Sequence, residues 1–283
     1  MNTTCLINGE PGASIPISDR GLQYGDGLFE TIAVQDGACE FWDRHMRRLL
    51  NGCDRLNIPR PSIAQLASEA AALQRNQPRT GVLKILVTRG GGGRGYRPPI
   101  PSRPTRILLA KPWPNYPAAH ATQGVKLRLC DQQLSRNARL AGLKHLNRLE
   151  QVLATAEWDG SEVAEGLMLD DRRQVIEGTF TNLFLVQEDS LWTPSLDHCG
   201  VAGIMRSVVL DLARELGIPC VEQDISEAAL YESQEMFLTN SLIGIWPVRA
   251  LGHWHADVGP VTRRLQQALA ELRGRPSKGI ACD

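Results

Sequence analysis

The sequence predicts an α/β chain of two domains, and three observations carry that expectation. Runs with strand alternation are interleaved with runs of helical apolar spacing along the chain. The 283 residues are enough for two separate cores. A proline-rich stretch, Lys111-Pro-Trp-Pro-Asn-Tyr-Pro-Ala-Ala-His120, interrupts all periodicity. The expected division is a smaller domain over 1–112, a linker over 113–123 and a larger domain over 124–283.

In the first domain, residues 5–9 and 13–17 read as short strands around a Gly-Glu-Pro-Gly turn. A polar, glycine-rich loop over 18–27 leads into a strand over 28–34. Its alternation puts Phe29, Thr31 and Ala33 on one face and Leu28, Glu30 and Ile32 on the other. Asp43 can cap a helix whose apolar stripe is Met46, Leu49, Leu50, Cys53 and Leu56, which leaves Arg44, Arg48 and Arg55 on a solvated face. A second helix follows Ser62, and residues 81–88 and 104–110 read as a strand hairpin.

Between those strands lies Arg89-Gly-Gly-Gly-Gly-Arg-Gly-Tyr96. It is neither a P-loop nor a dinucleotide fingerprint, because no Gly-Lys-Ser/Thr and no helix follows. It can bring Arg94 and Tyr96 onto an anionic substrate, since a guanidinium binds a carboxylate bidentately. An RGG-like RNA contact is the competing reading, and the zero net charge weighs against it.

The second domain opens with a strand over 125–130. Leu146, Leu149, Val152, Leu153 and Ala156 have helical spacing, which predicts a helix over 145–158 with one buried face. Lys144 would stand at its entrance, where desolvation and the helix dipole favour a neutral, nucleophilic amine. Residues 165–170 and 180–186 read as strands, with Glu177 in an apolar setting that requires a cationic partner. Gly200-Val-Ala-Gly-Ile-Met-Arg206 approaches a helix stopped by Gly217, and such an approach can seat a phosphate. A strand over 235–242 and a helix over about 261–272 complete the chain, followed by a frayed tail. His253 and His255 lack further ligands for a metal, so no metal site is expected.

Composition narrows the function. Hydrophobic content of 42% and charged content of 22% are globular values, which excludes a disordered or fibrous chain. Lys plus Arg equals Asp plus Glu at 31 each, which argues against nucleic-acid or acidic-membrane binding. No basic start precedes an apolar run, and no apolar segment is long enough to span a bilayer, so a cytoplasmic protein is expected. The seven cysteines are scattered and never spaced as CxxC, which reads as reduced thiols.

Four segments, in order, carry a resemblance: Asp19-Arg-Gly-Leu-Gln-Tyr-Gly-Asp-Gly-Leu-Phe-Glu-Thr31, Thr88-Arg-Gly-Gly-Gly-Gly-Arg-Gly-Tyr96, Gly142-Leu-Lys-His-Leu-Asn-Arg-Leu-Glu150 and Glu177-Gly-Thr-Phe-Thr-Asn-Leu-Phe184. From Leu6 to about Val248 the chain resembles the fold-type IV pyridoxal-phosphate enzymes. That group includes branched-chain and D-amino-acid aminotransferases, and within it the chain most resembles the aminodeoxychorismate lyases. The resemblance implies a barrel-like sheet in the larger domain, an active site between the domains, pyridoxal 5'-phosphate as cofactor, and a homodimer.

Carried over residue by residue, the resemblance implies that Lys144 binds the cofactor covalently and that Glu177 faces the ring nitrogen. Arg48, in His45-Met-Arg-Arg-Leu49, would bind the phosphate with the backbone N–H groups of Ile204 and Met205 and with Asn240 or Ser241. The aminotransferases usually carry threonine where Met205 stands, so only a main-chain contact is expected there. The implied reaction converts 4-amino-4-deoxychorismate to 4-aminobenzoate and pyruvate, a step of folate biosynthesis. Lys144 would move the ring proton, and Thr31 or the Lys144 ammonium would protonate the departing oxygen. Phe29, Arg94 and Tyr96 would contact the substrate. The rivals are an aminotransferase for D- or branched-chain amino acids, using Lys144, Glu177 and Arg48 identically, and a non-catalytic relative that keeps the scaffold.

Overall fold

The structure, a computed structural model, describes residues 4–75, 77–159 and 162–274. The expected frayed tail lies outside the described residues from 275 onward. Two compact units are present: one takes in the chain up to Pro114 together with Leu143–Asn147, the other Asn115–Gly142 together with the described residues from Arg148 onward.

The first unit contains β1 (Cys5–Ile7), β2 (Glu10–Pro11), α1 (Arg20–Tyr24), β3 (Gly27–Gln35), β4 (Ala38–Cys39), α2 (Trp42–Arg55), α3 (Ile63–Gln74), β5 (Gly81–Thr88) and β6 (Thr105–Lys111). Its sheet has the order β2-β1-β6-β5-β3-β4 with antiparallel neighbours. The hairpin expected from residues 81–88 and 104–110 is the β5–β6 pair, with Thr88 opposite Thr105.

The first hairpin departs from expectation. Its turn is Asn8-Gly9, with φ of 53° and 92°, and not Gly-Glu-Pro-Gly. These are the left-handed angles a two-residue hairpin needs, and Asn-Gly is the pair that adopts them most readily. The strand therefore ends at Pro11, and residues 13–17 form no strand. The loop over 18–27 also holds a helix, α1, with the Asp19 side chain accepting from Gly21 N–H at its start and Gly25 in the left-handed region at its end.

Helix α2 buries Met46, Leu49 and Cys53 as its spacing predicts, and Trp42, His45 and Gly52 as well. Asp43 lies inside its first turn and makes no capping bond; the cap position is Phe41. Ser62 caps α3 by accepting from Gln65 N–H at 3.3 Å.

The second unit contains α4 (Ala119–Gln123), β7 (Val125–Leu129), α5 (Leu149–Thr155), β8 (Glu165–Leu169), β9 (Gln174–Gly178), β10 (Asn182–Gln187), β11 (Ser190–Pro194) and α6 (Ile204–Glu215). It continues with β12 (Cys220–Gln223), β13 (Ile225–Ser226), α7 (Glu227–Glu232), β14 (Glu235–Asn240), β15 (Gly244–Leu251), β16 (Trp254–His255) and α8 (Pro260–Gly274). Part of the stretch expected to be a linker is thus α4, whose His120 ring meets Trp246 edge-on at 4.7 Å.

The strand order is β12-β11-β10-β14-β15-β7-β8-β9-β13, with β16 on β15. Its two ends, β12 and β13, are separated along the chain by one residue, Asp224. One run of chain therefore pairs with β11 and then with β9, which curls the sheet into a barrel-like form. One face holds a core that includes Leu127, Leu167, Leu185, Leu238 and Trp246. The other face carries the stacked Phe184 and Phe237 rings, 5.0 Å apart.

The region around Lys144 corrects a second expectation. The helix is shorter than 145–158, and Lys144 is not at its entrance. Lys144 C=O accepts from Phe29 N–H at 2.9 Å, and Leu146 N–H donates to Gly27 C=O at 3.0 Å, so this segment is tied to β3 by an isolated antiparallel bridge between His145 and Leu28. Backbone groups used in that pairing cannot serve a helix. The apolar stripe also points the wrong way for a core: Leu149, Val152 and Leu153 are 75%, 58% and 56% exposed, while Ala154 and Gln151 face inward. Residue spacing identifies an amphipathic face, but not what covers it.

Candidate active site

In the first unit, β3 organises the candidate residues. Phe29 and Thr31 are half-buried on one face of the strand. The Lys144 ammonium lies over the Phe29 ring, 4.5 Å from its centroid, and the Lys84 ammonium lies 5.0 Å from the same ring. A ring face attracts cations, so Phe29 holds both amines near the strand without forming a hydrogen bond to either. Lys84 is the cross-strand neighbour of Thr31.

On the opposite face of β3, Glu30 is 1% exposed and faces α2. Its Oε1 accepts from Arg48 Nε at 2.8 Å, and its Oε2 accepts from Arg48 Nη2 at 2.5 Å and meets His45 Nδ1 at 2.6 Å. Arg48 is therefore not on a solvated face, as the helical wheel suggested; its side chain is 12% exposed and paired with a buried carboxylate. The wheel counts Arg48 as polar and sends it outward, whereas a buried acid on the neighbouring strand draws it in.

Arg94 and Tyr96 lie on an exposed turn. Arg20 holds this turn by donating to Gly95 C=O at 2.9 Å and Tyr96 C=O at 3.0 Å, and Asp26 in turn pairs with Arg20 at 2.9 Å and Arg89 at 2.7 Å. The Tyr96 ring meets Tyr24 edge-on at 5.5 Å. Arg20 and Tyr24 sit in the first recognised segment, yet nothing in the local sequence showed that they anchor a turn 75 residues away.

In the second unit, Glu177 stands near the end of β9 and is 4% exposed. Its Oε2 accepts from Val201 N–H at 2.8 Å and from Asn182 Nδ2 at 3.4 Å. Asn182 Nδ2 also donates to Val201 C=O at 2.9 Å. A Cβ on Gly203 would fall 1.9 Å from Asn182 Oδ1, so the absence of a side chain at Gly203 is what admits this amide next to α6. Arg148 supplies a cation whose charge acts on this carboxylate: burial lowers the Arg148 pKa, and the charges of Glu177 and Glu150 oppose that fall.

The loop joining β9 to β10 wraps around a second buried acid, Glu165. Gly166 N–H, Thr179 N–H and Thr179 Oγ1 donate to its Oε1 at 2.9, 3.1 and 2.6 Å. Phe180 N–H and Thr181 Oγ1 donate to its Oε2 at 3.1 and 3.0 Å. Strand β10 accordingly starts at Asn182 and not at Phe180, because the backbone of 179–180 is committed to this carboxylate. Burial pushes Glu165 up to about 7, against the pull of the donors around it.

Ile204 and Met205 open α6, both buried. Its first turn has no acidic residue and no side-chain cap, so the helix presents its N-terminal N–H groups without a competing anion from within that turn. Thr239, the cross-strand partner of Asn182, is fully buried, and its hydroxyl has no hydrogen-bond partner among the described residues. Asn240 Oδ1 accepts from Leu242 and Ile243 N–H at 2.8 and 2.9 Å, which orders the turn that carries Ser241. Sequence reasoning passed over Arg148, Glu165 and Thr239. Glu165 was findable, since it opens an apolar strand and raises the same question of a partner as Glu177.

The sequence profile described as amino-transferase class IV matches residues 27–251. The aminodeoxychorismate lyase of Vibrio harveyi is 37% identical over 267 residues, covering 93% of this chain and 98% of that protein. The crystal structure of 4-amino-4-deoxychorismate lyase from Pseudomonas aeruginosa is 49% identical, with a TM-score of 0.91 over 94% of this chain and 98% of that one. The branched-chain amino acid aminotransferase of Escherichia coli is 28% identical, with a TM-score of 0.86 over 96% and 95% of the two chains. With its residues from Gly27 to Leu251 matched and both kinds of relative aligned over nearly their full length, this chain belongs to the class IV aminotransferase family.

Proposed function

We propose that this chain is a pyridoxal-phosphate-dependent lyase that converts 4-amino-4-deoxychorismate to 4-aminobenzoate and pyruvate, a step of folate synthesis. The observation that carries the reading is the arrangement on β3: the Thr31 hydroxyl lies two residues from Phe29 on the same face, and the Lys144 ammonium sits over the Phe29 ring. An elimination needs one group to take a proton from carbon and another to give one to the departing oxygen, and an amine with a nearby hydroxyl provides both.

The residues present fit the cofactor. The uncapped start of α6 and the orphaned Thr239 hydroxyl are the donors that a phosphate accepts from, and Asn240 and Ser241 follow Thr239 directly. Ile204 and Met205 contribute backbone N–H groups, and Arg48 contributes its guanidinium. Glu177, held by Val201 N–H and Asn182, would face the ring nitrogen and favour its protonated form. When bound, the cofactor supplies an electron sink for the pair released when a carbon–hydrogen bond breaks.

Lys144 would hold the cofactor covalently, and its amine would take the proton from the amine-bearing ring carbon of the substrate. Thr31 or the Lys144 ammonium protonates the enolpyruvyl oxygen as its bond to the adjacent carbon breaks. The ring becomes aromatic, and the released enolpyruvate becomes pyruvate. Arg94 and Tyr96 bind the substrate carboxylates, and Phe29 packs against the ring.

The exposed apolar side of α5 supports a homodimer, in which a second copy covers Leu149, Val152 and Leu153. No helix among the described residues is long and apolar enough to cross a membrane. We propose, separately, a cytoplasmic enzyme. The deciding experiment mixes the cofactor-loaded protein with 4-amino-4-deoxychorismate and no keto acid. Equal catalytic release of 4-aminobenzoate and pyruvate is the expected result. A yellow protein that releases neither product, but transfers an amine from D- or branched-chain amino acids when a keto acid is added, would be an aminotransferase.

A further inference from the structure

We infer that Glu165 is a positioning residue: buried under the turn that joins β9 to β10, it fixes where Glu177 and Asn182 stand relative to one another, and so the approach of Glu177 to the cofactor ring nitrogen. This inference rests on the proposed pyridoxal-phosphate reading and extends it to a residue that, being fully buried, does not touch the cofactor.

Every part of the arrangement belongs to the second unit. Strands β8 and β9 pair with Met168 opposite Glu177 and Leu167 opposite Gly178, so Glu165 lies level with the chain just beyond β9. There the chain turns: Gly178 N–H donates to Thr181 C=O at 2.8 Å, and Thr179 N–H reaches Gly166 C=O at 3.1 Å. Four of the five donors to Glu165 come from this turn, namely the N–H groups of Thr179 and Phe180 and the hydroxyls of Thr179 and Thr181. A Cβ on Gly178 would fall 2.2 Å from Thr181 Oγ1 and 2.8 Å from Glu165 Oε2, so a bare backbone there is what lets the carboxylate nest. Glu177 and Asn182 are the residues on either side of 178–181, and their side chains meet at 3.4 Å.

Two supports for Glu177 have to be weighed. The ladder with β8 holds its backbone, but the register shifts between Met168 and Leu169, right beside the pair that Glu177 makes. Such an irregularity disrupts the ladder locally. Strand β9 then ends at Gly178. Glu177 thus stands between an irregularity and a turn, where the ladder constrains it least. Its carboxylate is held from beyond the strand, by Val201 N–H and by Asn182, and Asn182 follows the turn directly. The turn therefore decides, and the turn is built on Glu165.

The chemistry of the nest calls for a carboxylate. At pH 8, above the value of about 7 to which burial raises this group, Glu165 is an anion that accepts at both oxygens. A Gln side chain has one acceptor oxygen. With that oxygen toward Gly166 and Thr179, its amide N–H groups oppose Phe180 N–H; turned over, they oppose Gly166 and Thr179 N–H. Hydroxyls can rotate to suit the change, but backbone N–H groups cannot, so the turn has to shift.

The test titrates apoprotein at pH 8 with pyridoxal 5'-phosphate and, separately, with its 1-deaza analogue, which has carbon in place of the ring nitrogen, following cofactor absorbance and tryptophan fluorescence. Wild type is expected to prefer pyridoxal 5'-phosphate, and Glu177→Ala to abolish that preference. Glu165→Gln is expected to weaken binding of pyridoxal 5'-phosphate about tenfold, the scale of one hydrogen bond to a charged group, and to change binding of the analogue less than about twofold. A merely structural residue would weaken both alike. Thr181→Val, which removes one donor, serves if the Gln variant folds poorly and is expected to show the same selective loss at about threefold, while Thr181→Ser keeps the hydroxyl and the wild-type ratio. In the Glu177→Ala background, Glu165→Gln should leave the ratio of the two affinities unchanged. Equal weakening of both ligands, or a wild-type ratio in Glu165→Gln and Thr181→Val, would overturn the inference. A wild-type protein that binds neither ligand, or a preference that survives Glu177→Ala, would instead fail at the cofactor reading itself, and the inference would fall with it.

Discussion

Replacing Glu165 by Gln tests how burial and hydrogen bonding compete at the loop that follows Glu177. Glu165 is completely buried, and burial pushes its carboxyl from the ordinary 4.5 up to about 7 even though five donors surround it. In the unfolded chain the group loses its proton near 4.5, whereas the native protein keeps it until about 7. The native state therefore binds the extra proton in that window. The stability this contributes is complete below 4.5 and is lost as pH rises through about 7. At about 1.4 kcal/mol per pH unit, the difference amounts to roughly 3 kcal/mol.

Gln does not titrate, so subtracting its stability curve from that of the wild type isolates this one group. Urea unfolding of both proteins, followed by tryptophan fluorescence at fixed concentration, is expected to show the wild type losing roughly 3 kcal/mol relative to Glu165→Gln between about pH 4.5 and 8. Parallel curves would mean that the carboxyl has the same proton affinity in both states. A wild type that gains on the variant as pH rises would mean that the five donors outweigh burial. Either result refutes the reasoning.

Three further outcomes are expected. Gly203→Ala forces Asn182 away from Glu177 and Val201, lowering stability by about 2 kcal/mol, and adds nothing in an Asn182→Ala background, a non-additivity that thermal unfolding of the four proteins measures. Leu153→Glu, on the exposed side of α5, should leave far-UV circular dichroism unchanged and shift the sedimentation mass from dimer to monomer; an unchanged mass would remove α5 from the subunit contact. In a Cys282→Ser background at pH 8, Ellman's reagent should react with exposed Cys220 ahead of Cys53, Cys130 and Cys199, whose thiols burial pushes up to about 11, 12 and 12, and mass mapping of the adducts checks the order.

The candidate residues were legible mainly as motifs, and the physical reasons attached to them were less so. Lys144 stood out in the sequence for a helix dipole that does not reach it: its backbone pairs with β3, a long-range contact that apolar spacing cannot reveal. The stripe from Leu149 to Ala156 was real, and its direction was wrong, because periodicity reports that a face is apolar whether its cover is the same chain or another. Arg48 failed in the complementary way, as a charge that a helical wheel sends to solvent and Glu30 draws inward. The first hairpin turns at Asn8-Gly9 and not at Gly-Glu-Pro-Gly, because a two-residue turn demands left-handed angles that Asn-Gly adopts most readily. The strands β3, β5, β6, β7 and β14 were legible because each alternates or runs apolar between clear breaks. Glu165 and Thr239 remained hidden because their importance lies in what surrounds them.

An open sheet has two rims, and each is a template on which a foreign strand can pair. In the second unit the run 220–226 occupies both rims, pairing with β11 before Asp224 and with β9 after it. Aggregation through a long bare edge is thereby closed off without a covering helix or a row of charges. The same seam constrains register. A one-residue slip of β9 would have to be matched across Asp224 by β12 against β11, so the strand that bears Glu177 is pinned from a distance, and an insertion at Asp224 would release it.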